Sequence, residues 1–408
     1  GTYGYISHWD TSAVTDMSSL FANKTTFNDD ISNWDTSSVT DMNSMFSGTY
    51  FNQSIGNWVI SKVKDMSYIF AGATNFNNGQ TNNEATAPLN WDVSKVTNMN
   101  YMFFRAKVFN QPIGSWDVSN VTTMVSMFTE AQVFDQPINT QEVTVDSSTY
   151  TAWDVSSVTD MSYMFFNASV FDQPIQYWNI GTVNSFNDMF TSATAMHTQY
   201  KDEVGFDNTP SISFFNKTAI TQANIQTAVN AWVNNSTTAT GTYGYISHWD
   251  TSAVTDMSIL FNGKTSFNDD IGNWDTSSVT TMYQMFYNAV VFNNGQTNNE
   301  GTAPLNWDVS KVTHMGSLFN TAQAFNQPLP NWDTSNVAYM ADMFNGNGAG
   351  AFNQDISNFN TGKVKSMESM FQYQSVFNQN IGNWTTSNNK DIGFMFYGAS
   401  EFNNGQTN

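Results

Sequence analysis

One phrase returns along this chain. WDTSAVTDMSSLF at 9–21 becomes WDTSSVTDMNSMF at 34–46, WDVSNVTTMVSMF at 116–128 and WDTSSVTTMYQMF at 274–286. Its first residue recurs as Trp9, Trp34, Trp58, Trp91, Trp116, Trp153, Trp178, Trp249, Trp274, Trp307, Trp332 and Trp384, with Phe359 in the one gap. Most spacings within a run are 24 or 25 residues, and the longer ones carry insertions at 76–91, 134–153 and 292–307. A period in this range rules out a single ordinary core. Each unit is too short to bury its own apolar side, so neighbours must stack and share a continuous interior.

Overlaid, thirteen units read W-D-x-S-x-V-T-x-M-x-x-M-F, a short spacer, then F-N-Q-x-I-x-x-W. The 21 methionines all occupy repeat slots, Met196 taking that of the F-N phenylalanine, so Met is a packing residue here and not a set of metal or redox sites. Val39, Met42, Met45 and Phe46 stand at i, i+3, i+6 and i+7, which predicts a short helix or 3-10 turn opened by the preceding Ser/Thr/Asp cluster. Phe51, Ile55 and Trp58 predict a short strand with a bend. In-register stacking at about 4.8 Å would turn each slot into a ladder. The Asn slot (Asn28, Asn52, Asn77, Asn110, Asn268, Asn293, Asn326, Asn353, Asn378) becomes an amide column that satisfies backbone groups at a turn, with Asp135 and Asp172 as tolerated variants.

The W-D-x-S-x-V-T-x-M-x-x-M-F core resembles the BspA-like leucine-rich repeats of bacterial surface proteins, above all the variant found in mycoplasma surface lipoproteins. The resemblance covers nearly all of 1–196 and 241–408. It implies an α/β leucine-rich-repeat-like solenoid of right-handed coils of about 25 residues. Each coil would have one short parallel strand on the F-N-Q-x-I side and one short helical or 3-10 turn opposite. Phe and Met stand where many leucine-rich repeats use Leu, and no lipid-attachment Cys is present.

A longer repeat overlies the first, because residues 1–18 recur identically at 241–258. The expected organisation is two stacked modules: solenoid module one over 1–196 with seven repeats, a junction at 197–240, and module two over 241–408 with six. The junction begins with a linker, the breaker-rich HTQYKDEVGFDNTP, and ends in a capping helix over about 221–235. There Thr221 is a candidate N-cap, and Ile220 with Ile225 a hydrophobic staple. The array is expected to continue past both ends.

The chain carries 34 acidic against 13 basic residues, a net charge of −21. That excludes a nucleic-acid backbone as partner, which needs clustered cations. With no cysteine there are no disulfides or thiolate metal sites, and no run of 18 apolar residues is present to insert into a membrane. Ser7–His8–Trp9–Asp10 places triad residue types side by side. Neighbours that alternate faces cannot form the relay, so no catalytic residue is expected and no cofactor is required. The Asp after each Trp reads as a capping residue, with calcium bridging as the sharper alternative, and the pairs Asp29–Asp30 and Asp269–Asp270 are the candidate Ca²⁺ ligands. Asn23, Asn52, Asn120, Asn167, Asn216, Asn234, Asn235 and Asn383 are candidate N-glycan acceptors, relevant only in a secreting eukaryote. The expected function is a non-enzymatic extracellular or cell-surface array, structural or adhesive, whose partners are neighbouring copies or modules of the same protein. The alternative is recognition of a surface glycan or protein through the three insertions.

Overall fold

In a computed structural model of the protein the described residues are 4–82, 84–145, 147–298 and 301–406; position 83 of the first insertion, 146 of the second and 299–300 of the third lie outside them. The chain forms two compact units, Gly1–Lys217 and Thr218–Asn408. Each has its own apolar core, and the cores are built from the repeat slots.

Within each unit, parallel bridges join one coil to the next at a single slot, the x of V-T-x-M. In the first unit they run Asp16, Asp41, Asp65, Asn98, Thr123, Asp160, Ser185, and in the second Asp256, Thr281, His314, Tyr339, Ser366, Asp391. This corrects the expected placement of strand and helix. The parallel pairing lies on the V-T-x-M side, and the F-N-Q-x-I side forms no regular strand among the described residues.

The fourth coil shows why no helix forms. The N–H groups of Met99, Tyr101, Phe103 and Arg105 donate to carbonyls of the next coil (Thr123, Val125, Met127 and Thr129) at 2.8–3.2 Å. Those of Met102, Phe104 and Ala106 donate three residues back, to Met99, Tyr101 and Phe103. Asn100 N–H goes to the Asn98 side chain at 3.1 Å. Every donor from 99 to 106 is therefore used, alternately outward and within tight turns. The first and last of these three turns have their third residue at φ > 0, Tyr101 (57°) and Arg105 (59°). The same two slots recur along the chain, as at Ser19 and Asn23, Tyr163 and Asn167, Gln284 and Asn288. A left-handed residue every fourth position is incompatible with an α-helix, yet it returns Val, Met and Phe to one face.

Left-handed backbone costs a residue with a Cβ about 1–2 kcal/mol, more when it is β-branched. Ile259 sits in this slot at φ 57° with its side chain half exposed. Ile259→Gly is therefore expected to raise the stability of the second unit by about 1 kcal/mol in a thermal melt.

Aromatic ladders fill the interior. In the first unit Phe21, Phe46, Phe70, Phe103, Phe128, Phe165 and Phe190 stack at 5.6–6.0 Å between centroids. A second file, Phe27 to Phe171, repeats at 5.8–6.3 Å. The indole N–H explains the choice of Trp, since a buried donor needs a partner. Trp34, Trp91, Trp116 and Trp153 donate to carbonyls of Ile6, Ile55, Leu89 and Ile113 at 2.8–2.9 Å, tying each coil to an earlier one.

The end of the first unit is closed by α1 (Thr194–Tyr200) and the segment after it. Phe190 N–H donates to Asn208 O at 2.9 Å and Asp188 N–H to Thr209 Oγ1 at 2.8 Å, while Tyr200, Phe214 and Phe215 are buried in its core. Residues 197–217 thus cover the last coil instead of forming a free linker. The second unit opens with α2 (Ile225–Asn234) and α3 (Ser236–Tyr243). Asn224 precedes α2 and its side chain accepts from Thr221 N–H at 2.8 Å; Thr221 contributes its carbonyl, not its hydroxyl. Ile220 and Ile225 are both buried in the same core.

α2 and the turn before it stand in for a neighbouring coil. Gln222 Nε2 donates to Asp256 O at 3.0 Å, its Oε1 accepts from the N–H groups of Thr255 and Asp256, and Gln226 Nε2 donates to Leu260 O at 3.1 Å. Trp249 is 3% exposed beneath this cap.

Candidate binding cleft

The carboxylates of the W-D slot have a local task. Asp10, Asp35, Asp92, Asp117, Asp154, Asp250, Asp275, Asp308 and Asp333 each accept the backbone N–H two residues on, at 2.9–3.1 Å. These are Asx turns rather than helix caps. The hydroxyl and N–H of the nearby Ser hold the Asp10, Asp35 and Asp308 carboxyls below the usual range; for Asp333 the N–H of Ser335 leads. Asn179 and Asn360 fill the slot in two of the four remaining units with the same bond, and Val59 and Thr385 stand there in the other two.

The candidate calcium ligands are likewise engaged. Asp30 and Asp270 close Asx turns with Ser32 and Gly272, and Asp269 Oδ2 accepts from Trp232 Nε1 at 3.0 Å. Asp29 is exposed. Among the described residues no three His, Cys, Asp or Glu side chains gather as a metal would need.

The amide column exists. Each Oδ1 accepts the N–H of the next Asn, from Asn28 to Asp135 and from Asn268 to Asn403 at 2.6–2.9 Å. Asp135 and Asp172 continue it more loosely, at 3.5 Å. Burial first, then the charge of Asp135, pushes the Asp172 carboxyl up. The insertions 76–91 and 292–307 are built from this column. Asn52 and Asn77 donate to Gln80 O and Asn82 O, and Asn78 binds Ile55 N–H and Ala87 O; Asn268, Asn293 and Asn294 repeat the pattern. Their amides are consumed inside the loop.

The insertion 134–153 differs. It forms β1 (Gln141–Val145) and β2 (Ser148–Ala152), antiparallel, with Val143 opposite Tyr150. The hairpin leans over the W-D row and encloses a cleft of about 650 Å³ lined by Asn90, Asp92, Asp117, Val145, Ser148 and Tyr150, among others. Tyr150 Oη donates to Ser115 O at 2.5 Å and anchors the roof. Burial, then Asp117 and Asp92, raise its phenol. Two carboxylates and no cation line this cleft, so it suits a positively charged or hydroxyl-rich group.

A second groove, in the second unit, has the opposite sign. It measures about 510 Å³ and is lined by Ala338, Lys363, Lys365, Asn388 and Lys390. The three lysines are exposed, and among the described residues none forms an ion pair; Arg105 and Glu130 do, at 2.9 Å. Lys363 Nζ donates to Asn336 at 2.6 Å, and Lys365 lies 5.6 Å from the Tyr339 ring centroid. The insertion 134–153 that roofs the cleft stood out in the sequence, whereas the carboxylates beneath it and the lysine groove did not. The one available signal was lysine recurring at neighbouring slots of V-K and N-K.

The histidines are dispersed. His8 ends a 3-10 turn, Ile6–His8, and its twin His248 another. His197 contacts Phe190 O at 3.0 Å through Nε2. His314 takes the Asp place in the bridge slot, where its Nδ1 accepts Gly316 N–H at 3.1 Å between Tyr283 and Tyr339. Burial lowers its pKa. A depressed folded pKa leaves full stability above the unfolded value of about 6.5, lost as pH falls through the folded pKa. The melting temperature of the second unit is thus expected to drop between pH 7 and pH 5, and less so in His314→Asn, which keeps an acceptor.

No helix among the described residues is long and apolar enough to cross a membrane. No curated protein and no solved structure matches the chain. A family model described as "Mycoplasma protein of unknown function, DUF285" matches five times in succession, over 2–87, 85–151, 146–232, 238–302 and 294–408. The tandem units therefore have a family: the chain belongs to the DUF285 repeat family of mycoplasma proteins.

Proposed function

We propose that the chain is a segment of a non-enzymatic repeat protein of the cell surface, structural or adhesive in role, each unit being a right-handed solenoid related to the BspA-like leucine-rich repeats. One observation carries this reading: the slots are spent on holding coil to coil. Trp, Phe and Met form ladders, Asn and Asp satisfy backbone, and residue types that could do chemistry are dispersed. Such a chain gains surface by adding units, which suits a spanning or gripping role. Protease shaving of intact cells that make the protein tests the placement. Removal of the repeats with the membrane sealed is expected; protection until lysis sinks the reading.

The hairpin cleft favours a second reading, recognition of a glycan or protein through the insertion 134–153. Replacing 141–152 by a tight turn should then abolish binding on a glycan or protein array while leaving the fold intact; unchanged binding excludes it.

A further inference from the structure

We propose that the lysine groove of one copy docks into the acidic cleft of another, so that the protein associates head to tail. The two surfaces are complementary in sign and lie on different units. Lys363, Lys365 and Lys390 concentrate 3 of the chain's 13 cations beside one groove, against a net charge of −21. The cleft under the hairpin presents Asp92 and Asp117 with no cation on its walls.

Two details tie the surfaces to each other. Asp92 and Asp117 occupy one slot of successive coils, and Lys365 and Lys390 another, so both rows advance by one coil per charge. In the lysine row, Lys390 N–H donates to Lys365 O and Lys365 N–H to Ala338 O, each at 2.9 Å, fixing the backbone beneath the charges. Ala338 carries no charge at the start of the row, and there the proposed contact seats Val145 and Ser148 of a partner's hairpin. Val145 is 48% exposed at that edge and offers an apolar contact beside the charges. Because the two surfaces differ, the contact is heterologous and does not close on itself unless a ring forms.

This rests on the reading of the chain as a structural array, yet the two fail separately, since surface shaving does not depend on self-association. Sedimentation velocity of the full chain tests the docking at about 0.01 M and about 1 M salt, where the Debye length is roughly 30 Å and 3 Å. Association beyond the 45.6 kDa monomer is expected at low salt and its loss at high salt. Lys363→Glu/Lys365→Glu/Lys390→Glu should weaken association by roughly tenfold or more, as should Asp92→Asn/Asp117→Asn, a change that Asn179 and Asn360 show the Asx turn accepts.

The deciding step mixes the two variants. Each keeps the surface the other lacks, so the mixture should form a two-chain species and stop there. A monomeric wild type at low salt, undiminished association of either variant, or a mixture that stays monomeric overturns the proposal. So does a groove that retains dextran sulfate while the protein remains monomeric, because its occupant is then a polyanion. Melting temperatures equal to wild type confirm that both variants fold.

Discussion

Phe128→Ala is expected to destabilise the first unit by about 3–5 kcal/mol, the usual range for emptying a buried aromatic site. Phe128 is fully buried and stacks on Phe103 and Phe165, in the coils on either side, at 5.6 Å, and on Phe134 of its own coil at 4.2 Å. In a stack where each coil touches only its neighbours, one such hole weakens two interfaces at once and no remote contact compensates. Calorimetry should show the melt of the first unit falling by on the order of 10 °C with that of the second unchanged. A fall of only a degree or two would mean that the ladder is not the principal source of cohesion.

Trp232→Ala carries the second large effect, at the start of the second unit. Trp232 is 4% exposed and meets Tyr245 and Trp249 edge-on, at 4.9 and 6.2 Å. Its indole N–H reaches Asp269. Removing it opens the face that α2 covers and strands a carboxylate, for an expected cost of about 3–5 kcal/mol. Hydrogen exchange locates the damage: amides of 257–263 should lose protection first, with 1–217 unchanged. Asp269→Ala removes that acceptor while leaving the core covered, and should cost far less. Equal losses in the two variants would place the energy in the hydrogen bond and not in coverage of the core.

The repeat made the core slots and the amide column legible, because stacking like on like follows from the period alone. The conformation of the coil was not legible in the same way. Spacing at i, i+3 and i+7 tests only whether side chains share a face, and paired turns with left-handed third residues satisfy it as well as a helix does. Gly48, Gly72, Gly263 and Gly398 mark the second of those slots, but Tyr101 and Ile259 stand in the first, where a bulky residue gives no sign of a left-handed backbone. Gln222 and Gln226 look like surface residues of an amphipathic helix until the coil beneath them is seen. The hairpin was closer to readable, since QEVTV and STYTA alternate as strands do. Asp92 and Asp117, by contrast, become a site only once that hairpin lies over them.

The direction of the inter-coil bonds in the turn segments, opposite to that at the V-T slot (Thr40 N–H to Thr15 O), gives each unit chemically unlike turn faces. In the turn segments, amide hydrogens point toward the later coil and carbonyl oxygens toward the earlier one. A segment covering the turn face of the first coil must therefore bring donors, as the amide groups of Gln222 and Gln226 do, while Gln222 Oε1 serves the N–H groups of Thr255 and Asp256 just before the turns. A segment covering the last coil must bring acceptors, as Asn208 and Thr209 do. The two kinds of stopper are not interchangeable. Recombination between the near-identical copies yields a sound protein only when it preserves that order, so lengthening by whole blocks is permitted and inversion of a block is not.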